Sequence, residues 1–409
     1  MLFMSDSEMG FEPKKFGELY LPSYDGRSIL NLTSLILTHY GSKSATMALN
    51  FSKELQNTMV VIIVDGLGYL QLKEARKRLS IVDAALSKAQ TFEAMTTVFP
   101  STTSTVLTSF NTGLPPAQHG IIGFSMFVKE LGAVVNTITF SPASEKGEGA
   151  FESSGLQASY LYPQKTIYQE LSSLGVKSKV FTPNYLANTV LSRALYNGAE
   201  KFKFSQLSDM FVNIRKELLQ KTSEPRFITA YWSGVDTISH KYGPMSDEHD
   251  AEISAFFFML FSQLVEKCAG AGATLIVTAD HGHVNIPEGC FHDLSSDYEL
   301  LSNLAIPPTG DSRALFLFPK NEHSNEVIQK RFSETSVILD KKEAIELGLF
   351  GVKELSPSVS SRLGDKLVLP FKQHSYVYRY PTFEYKPMIG NHGGLSQEEL
   401  LIPLLVYEL

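Results

Sequence analysis

The chain has 409 residues, of which 43% are hydrophobic, and its formal net charge is −7 at pH 7. This length and apolar content exclude a disordered chain and allow a sizeable core, in one large α/β domain with an insertion or in two domains. The negative charge disfavours nucleic acid as the main partner. The densest basic run, Lys73 to Arg78, has the pattern of a solvated helix face and does not indicate a nucleic-acid surface.

No segment has the pattern of a membrane span. The N-terminal residues lack a basic region followed by a long apolar stretch, and the most apolar run, Ala255 to Phe261, is too short. We therefore expect a soluble, cytoplasmic protein with no membrane partner. The two cysteines, Cys268 and Cys290, form neither a disulfide framework nor a pair with metal-ligand spacing, and are interpreted as buried or incidental thiols.

The first strong strand pattern ends at an acidic residue. After an apolar helical pattern at Ile29 to Leu37, the β-branched run Thr58 to Val64 predicts a central strand that is buried on both faces. Asp65 follows at once. Ligands of open α/β sheets collect at the carboxyl ends of strands, so Asp65 is a candidate site residue, although Asp-Gly is also a common turn.

A run of hydroxyl side chains, STTST at 101–105, stands where an extended segment is predicted to become a helix. The apolar pattern up to Phe99 predicts a strand that Pro100 ends, and a helical pattern then continues to Gly113. Thr103 is thus expected near a helix N-terminus, where backbone N–H groups and the helix dipole favour an anion such as a phosphoryl group. Taken alone, the run is much more typical of helix capping than of a nucleophile.

Asp236 and His240 follow the predicted strand Phe227 to Tyr231. They stand four residues apart, a spacing that places both side chains on one side of a helical turn, where they could hold one cation. A surface aspartate and a solvated histidine are the simpler interpretation of either residue alone.

Asp280 and His281 follow a second β-branched strand, Thr274 to Ala279. Gly282 allows the backbone to turn so that both side chains face one ion, and a carboxylate with an imidazole suits Zn²⁺ or Mn²⁺ better than Mg²⁺. His283 is interpreted as a weaker candidate for direct ligation, with a role in supporting the ligands.

The alternation of strands and helices predicts a doubly wound, mostly parallel α/β sheet with helices on both faces. Val128 to Phe140 alternates around Gly132 like a hairpin, and Ser246 to Ala269 predicts a long helix with its FFFMLF segment in the core. Residues 1–283 and 387–409 are assigned to this core, and residues 284–386 to a small inserted α+β cap. The tyrosine-rich segment 375–385 fits an edge strand or a surface that stacks on an aromatic group.

His392 lies among glycines, just before a capped helix start and the final strand, Leu401 to Val406. Three aspartates and three histidines thus stand at or near the ends of predicted core elements: Asp65, Asp236, His240, Asp280, His281 and His392. Together with Thr103 they suit two metal ions that flank a phosphoryl group, which predicts phosphoryl or sulfuryl transfer.

The same ordered motifs resemble the alkaline phosphatase superfamily, most closely its nucleotide pyrophosphatase/phosphodiesterase branch of cytosolic bacterial type. The resemblance is carried by VIIVDGLG at 61–68, FPSTTS at 99–104, YWSGVDTISHKYGP at 231–244, IVTADHG at 276–282 and NHGGLSQEELLIPLL at 391–405. It implies two divalent ions, with Zn²⁺ expected and Mn²⁺ as the alternative, and a phosphothreonine intermediate on Thr103. It also assigns the ligands, with Asp65, Thr103, Asp280 and His281 around one ion and Asp236, His240 and His392 around the other.

Two departures from the family pattern concern the substrate. Thr102 replaces the lysine that precedes the nucleophile in well-studied diesterases, and Phe124 replaces a residue that supplies an amide to a phosphate oxygen. We expect a small-molecule phosphoester or nucleotide substrate and hydrolysis of a diester or pyrophosphate. A phosphomonoesterase, a phosphonate hydrolase or a phosphomutase is the alternative enzyme, and a non-catalytic scaffold is the alternative from another class.

Overall fold

The structure is a computed structural model that describes residues 11–45, 47–163, 165–380 and 387–409. Its strands, in chain order, are β1 (Lys15–Phe16), β2 (Leu19–Tyr20), β3 (Thr58–Val64), β4 (Thr91–Thr96), β5 (Ser125–Val128), β6 (Ala133–Asn136), β7 (Ser141–Pro142), β8 (Lys177–Pro183), β9 (Glu200–Phe204), β10 (Arg226–Trp232), β11 (Ala273–Thr278), β12 (Val284–Asn285), β13 (Phe291–Asp293), β14 (Thr309–Asp311), β15 (Ala314–Leu317), β16 (Ser336–Asp340), β17 (Lys366–Pro370), β18 (Ser375–Val377), β19 (Gly390–Asn391) and β20 (Leu401–Glu408).

The helices are, in the same order, α1 (Ile29–His39), α2 (Tyr69–Arg78), α3 (Ser80–Leu86), α4 (Thr103–Thr112), α5 (Pro116–His119), α6 (Ala150–Ser153), α7 (Ile167–Ser173), α8 (Val190–Leu195), α9 (Leu207–Leu218), α10 (Gly234–Tyr242), α11 (Asp247–Leu260), α12 (Tyr298–Ser302), α13 (Glu322–Phe332), α14 (Lys341–Glu346), α15 (Pro357–Arg362) and α16 (Gln397–Leu400).

A seven-stranded sheet in the order β4-β20-β11-β3-β10-β8-β9 forms the centre of the fold. Neighbouring strands from β11 to β9 are parallel, whereas β20 runs antiparallel to both β11 and β4. Every residue of β3 and β11 is buried, as expected for strands that are covered on both faces. The predicted doubly wound, mostly parallel α/β sheet is therefore confirmed.

The register of this sheet brings three strand ends to one edge. Val64 pairs with Trp232 at the end of β10, and Ile63 pairs with Thr278 at the end of β11. The residues that follow β3, β10 and β11 in the chain consequently leave the sheet side by side.

A second seven-stranded sheet, entirely antiparallel, has the order β16-β17-β15-β14-β5-β6-β7. A hairpin turns at Gly132 as predicted, but its strands pair from Ser125 to Asn136 and not from Val128 to Phe140. Gly310 of β14 pairs with Ser125 of β5. The hairpin and the strands of the later segment therefore share one sheet, while the division into core and cap residues stays a prediction.

The prediction of one long helix from Ser246 to Ala269 is wrong beyond Leu260. Helix α11 ends at Leu260 and continues as one π-helical turn, Phe261–Val265, in which the Glu266 N–H donates to the Phe261 carbonyl. Phe258 is 56% exposed although its neighbours Phe256 and Phe257 are buried. Three consecutive side chains leave a helix at steps of roughly 100°, so they cannot all face one core.

The helices of the described residues include none that is both long and apolar enough to cross a membrane. Cys268 is buried and Cys290 is half-buried, and both are free thiols.

His119, at the end of α5, is a fully buried histidine that stays neutral. Its Nδ1 accepts from the Ile121 N–H at 3.1 Å, and its Nε2 lies 2.9 Å from Ser109 Oγ. Burial, and then the Arg362 guanidinium, lowers the pKa of His119 from 6.5 to about 3. Only the unfolded chain takes up a proton here between those values, so this residue should destabilise the fold by about 1.4 kcal/mol for each pH unit below 6.5.

Chemical denaturation from neutral pH to pH 5 checks this expectation. The variant His119→Gln stays uncharged, so its free energy of unfolding should fall less steeply than that of the wild type as the pH decreases. The matched control is His323→Gln on the exposed side of α13, which should keep the wild-type slope. Equal slopes for His119→Gln and the wild type would contradict the assignment.

Candidate active site

Three buried groups meet where β3 and β11 end, and we call them the Asp65 cluster (Asp65, Asp280 and His281). His281 Nε2 lies 3.4 Å from Asp65 Oδ1 and 3.7 Å from Asp280 Oδ2. Asp280 Oδ1 accepts from the N–H groups of Gly66 and His281, and Asp65 Oδ2 accepts from the Tyr231 hydroxyl. Asp65 Oδ1 and Asp280 Oδ2 have no hydrogen-bond partner among the described residues. Each carboxylate therefore keeps one buried oxygen free for a ligand.

A second group lies beside the first, and we call it the Asp236 cluster (Asp236, His240, His283 and His392). Asp236 Oδ1 lies 3.1 Å from His240 Nε2, 3.1 Å from His283 Nε2 and 3.8 Å from His392 Nε2. Asp236 and His240 occupy the first and last turns of α10, on one side of the helix, as their spacing predicts. The rings of His281 and His392 stack with centroids 3.7 Å apart, so the two clusters adjoin.

Thr103 is the first residue of α4, with Thr102 at the N-cap, as the pattern predicts. Its Oγ1 lies 3.4 Å from His281 Nε2 of the Asp65 cluster. Two neighbouring hydroxyls are hydrogen-bonded elsewhere, since Ser101 Oγ donates to the Gly394 carbonyl and Ser104 Oγ donates to the Gly123 carbonyl. Within residues 101–105, Thr103 is the one that is not fully buried. The structure thus places its hydroxyl, among those neighbours, at the accessible edge of the clusters.

The four histidines share one hydrogen-bond arrangement. In each ring Nδ1 faces a backbone carbonyl oxygen, so Nδ1 is the donor and Nε2 is the free acceptor whenever the ring is neutral. The pairs are His240 with Gly390 at 2.8 Å, His281 with Gly282 at 3.1 Å, His283 with Gly66 at 3.3 Å, and His392 with Ser101 at 3.0 Å.

The carboxylates and imidazoles perturb one another strongly. Burial raises the pKa of Asp280 to about 7, and burial together with the Asp236 and Asp280 carboxylates raises the pKa of Asp65 well above its usual range. Burial also acts to raise the pKa of Asp236, but the adjacent His240 imidazole, whose own pKa rises to about 9 beside Asp236 despite burial, holds it well below its usual value. Burial lowers the pKa of His283 and His392 to about 4, so both rings are neutral near pH 7.

These features fit divalent cations. Buried carboxylates that crowd together with unpaired oxygens need a compensating positive charge, and neutral imidazoles with a free Nε2 are metal ligands. Within each cluster the potential ligand atoms all lie within 4.8 Å of one another. Carboxylate and imidazole together suit Zn²⁺ or Mn²⁺.

A cavity of about 610 Å³ opens over the two clusters. Thr103, Asp65, Asp236, His240 and His392 line it directly, whereas Asp280 and His281 lie behind its wall. The remaining wall is largely apolar and aromatic, and includes Phe124, Ile138, Tyr185, Leu186, Val377, Tyr378, Tyr380 and Met388.

The tyrosine-rich segment 375–385 contributes to this wall in part. Tyr376 is buried and stacks on His292, as a core residue does. Tyr378 and Tyr380 meet edge to face, with centroids 5.1 Å apart. Residues 381–385 lie outside the described residues, and the stacking role stays a prediction.

The sequence patterns missed two groups that shape the site from the second sheet. Asp311, at the end of β14, lines the cavity beside Thr102, and burial raises the pKa of its carboxyl to about 6. Arg313 and Glu399 form a fully buried ion pair, 2.7 Å from Nε to Oε1, and Glu399 Oε1 also accepts from the Gly394 N–H at 2.8 Å. This pair ties the second sheet to the loop that carries His392.

A family model described as type I phosphodiesterase/nucleotide pyrophosphatase matches residues 59–393. The chain belongs to this family. The range includes both clusters and Thr103, and the predicted resemblance to the nucleotide pyrophosphatase/phosphodiesterase branch is confirmed.

Known proteins agree with this assignment. Human ectonucleotide pyrophosphatase/phosphodiesterase family member 1 is 26% identical over 208 residues, which is 49% of this chain and 21% of that protein. The chain thus matches about a fifth of the length of this curated relative.

Two solved structures share the fold. Murine ectonucleotide pyrophosphatase/phosphodiesterase 5 has a TM-score of 0.62 at 16% identity and covers 85% of this chain and 87% of its own. Phosphonoacetate hydrolase from Sinorhizobium meliloti 1021, in complex with phosphonoformate, has a TM-score of 0.62 at 17% identity and covers 86% of this chain and 90% of its own.

Proposed function

We propose that this protein is a phosphodiesterase or nucleotide pyrophosphatase that uses two divalent metal ions and Thr103 as its nucleophile. One observation carries the proposal: the Thr103 hydroxyl, the Asp65 cluster and the Asp236 cluster converge at one cavity. When bound, the ions would stabilise the negative charge of the attacking and leaving oxygens. Zn²⁺ is the expected metal and Mn²⁺ the alternative, because the ligands combine imidazole with carboxylate.

The residues of the chain then have the following roles. The Asp65 cluster with Thr103 would hold one ion, and Asp236 with His240 and His392 would hold the other. The Thr102 side chain makes no capping hydrogen bond to α4, so the first backbone N–H groups of this helix could donate to a phosphoryl oxygen beside Thr103. Thr103 Oγ1 loses its proton to solvent and forms a bond to phosphorus, while the leaving oxygen departs with the electron pair of the P–O bond that breaks. Water then cleaves the phosphothreonine ester, which releases the product and restores the hydroxyl.

The charges around the cavity favour a diester over a monoester. Among the described residues that line it, Arg379 is the one side chain of the lysine or arginine type, and it is paired with Asp293. Asp311 adds a carboxylate next to Thr102. A monoester dianion would meet more repulsion and less compensation here than a diester monoanion. A phosphomutase would also need lysine or arginine side chains to hold its phosphorylated product, and the described residues that line the cavity do not offer such a cluster.

The variant Asp311→Asn tests this charge argument. Removing one negative charge should favour the dianion by ~1 kcal/mol, so kcat/KM for p-nitrophenyl phosphate should rise about fivefold relative to that for bis-p-nitrophenyl phosphate. The matched control is Asp365→Asn, which removes the same charge from an exposed residue that pairs with Lys341. An unchanged ratio in Asp311→Asn would show that this carboxylate does not discriminate between the two esters.

The proposed function itself is tested on the purified wild-type protein. Metal analysis should find about two transition-metal ions per chain after exposure to Zn²⁺ or Mn²⁺, and bis-p-nitrophenyl phosphate should be hydrolysed faster than p-nitrophenyl phosphate. Less than about one tightly bound ion per chain, with neither ester cleaved, would favour the non-catalytic scaffold. Hydrolysis of the monoester alone would favour the phosphomonoesterase.

A further inference from the structure

His283 is a buried imidazole whose Nε2 lies inside the Asp236 cluster. It is 3.1 Å from Asp236 Oδ1, the same distance as His240 Nε2, yet within the described part of the chain neither His283 Nε2 nor Asp236 Oδ1 has a hydrogen-bond partner. The two atoms approach closely without an aligned N–H···O bond. Ligands of one tetrahedral Zn²⁺, with bonds of about 2.0 to 2.2 Å, lie roughly 3.4 Å apart, so this separation fits two ligands of one cation.

The other ring nitrogen of His283 has the arrangement of a metal ligand. Nδ1 faces the Gly66 carbonyl at 3.3 Å, as Nδ1 of His240 faces Gly390 and Nδ1 of His392 faces Ser101. A carbonyl partner for Nδ1–H leaves the Nε2 lone pair free and orients the ring. His283 therefore has the same tautomer and the same kind of support as the two histidines already assigned to this cluster.

The position of the ring is fixed by close packing against a glycine. A Cβ atom at Gly66, where φ is +75°, would lie 2.5 Å from His283 Cε1 and 2.9 Å from Nδ1. Only glycine allows both this backbone conformation and this contact. The turn after Asp65 is thus shaped to admit the His283 ring, and His283 cannot move toward Gly66.

We propose that His283 is a protein ligand of the ion in the Asp236 cluster, and this inference rests on the proposed two-metal function. The cluster then offers one carboxylate and three imidazoles, whereas the Asp65 cluster offers two carboxylates, one imidazole and the Thr103 hydroxyl. The nitrogen-rich set favours Zn²⁺, and the oxygen-rich set accommodates Mn²⁺ more readily. The two sites of this protein should therefore differ in metal preference.

The first test counts imidazoles in the Co²⁺-substituted wild-type protein. A histidine that binds through Nε2 keeps its Nδ1 proton, and near Co²⁺ that proton gives a strongly shifted NMR signal that disappears in heavy water. Four such signals are expected, from His240, His281, His283 and His392. Three signals with two bound ions would overturn the ligand role of His283 and leave the proposed function intact, whereas a wild type that binds no ion would refute the proposed function.

The second test compares the variants His283→Gln and His283→Met with the wild type. In competition with a chelator, each variant should bind one of the two ions about tenfold or more weakly than the wild type. Each should also change the visible Co²⁺ spectrum of that site alone. His119→Gln is the matched control, because it replaces a buried imidazole outside both clusters. A lower unfolding temperature with wild-type affinity and spectrum in both variants would show that His283 only supports the fold.

Discussion

Replacing Thr103 by alanine is expected to lower kcat for bis-p-nitrophenyl phosphate by about 10³-fold or more, because the variant lacks the oxygen that attacks phosphorus. The fold should survive, since Thr103 is only partly buried and its side chain does not cap α4. The two carboxylates and the imidazole of the Asp65 cluster remain, so we expect metal content to decrease modestly.

Two control variants separate chemistry from packing. Thr103→Ser keeps a hydroxyl at the start of α4 and should retain measurable turnover. Thr102→Ala removes the neighbouring hydroxyl and should leave kcat within about tenfold of the wild type, because the Thr102 hydroxyl is hydrogen-bonded to the Asp311 carboxylate. If Thr102→Ala were inactive and Thr103→Ala active, the nucleophile would be Thr102 and not Thr103.

Removal of metal is expected to abolish hydrolysis of both esters. In the metal-free protein the buried carboxylates of Asp65 and Asp280 crowd together without a compensating charge, which also destabilises the fold. Each site that is saturated at about 100 times its Kd should add roughly 2.7 kcal/mol to the free energy of unfolding, so the unfolding temperature should drop on chelation.

The measurement is dialysis against a chelator, followed by titration with single metals. Zn²⁺ or Mn²⁺ should restore both turnover and thermal stability, with stability rising over two equivalents per chain. Mg²⁺ should restore little, because it prefers ligand sets made only of oxygen atoms. Full activity in the metal-free protein would contradict the two-metal account.

The strands that carry the site were predictable because their sequences are nearly continuous runs of β-branched residues. Thr58–Val64 is bounded in the structure as the pattern predicts, and Asp65 and Asp280 leave the sheet edge where parallel strands end. The helix that begins at Thr103 was equally predictable, from the apolar pattern after Pro100 and from Gly113, which adopts the left-handed conformation at the end of the helix. These features depend on local sequence alone.

The features that the sequence patterns did not place depend mostly on contacts between distant segments. His283 approaches Asp236 only because the turn after β11 packs against Gly66 after β3, and neither segment reveals this packing. Asp311 reaches the cavity through the pairing of β14 with β5, about 185 residues apart in the chain. The π-helical turn after α11 has no composition signal at all.

The most direct test of the account is the identity of the covalent intermediate. The wild-type protein is loaded with Zn²⁺, mixed with bis-p-nitrophenyl phosphate and quenched in acid during turnover, and its peptides are analysed by mass spectrometry. We expect an aryl phosphate ester on Thr103 in the peptide that contains STTST, and no such ester in Thr103→Ala. An ester on Ser101, Thr102 or Ser104, or turnover with inversion at phosphorus and no ester, would contradict the account.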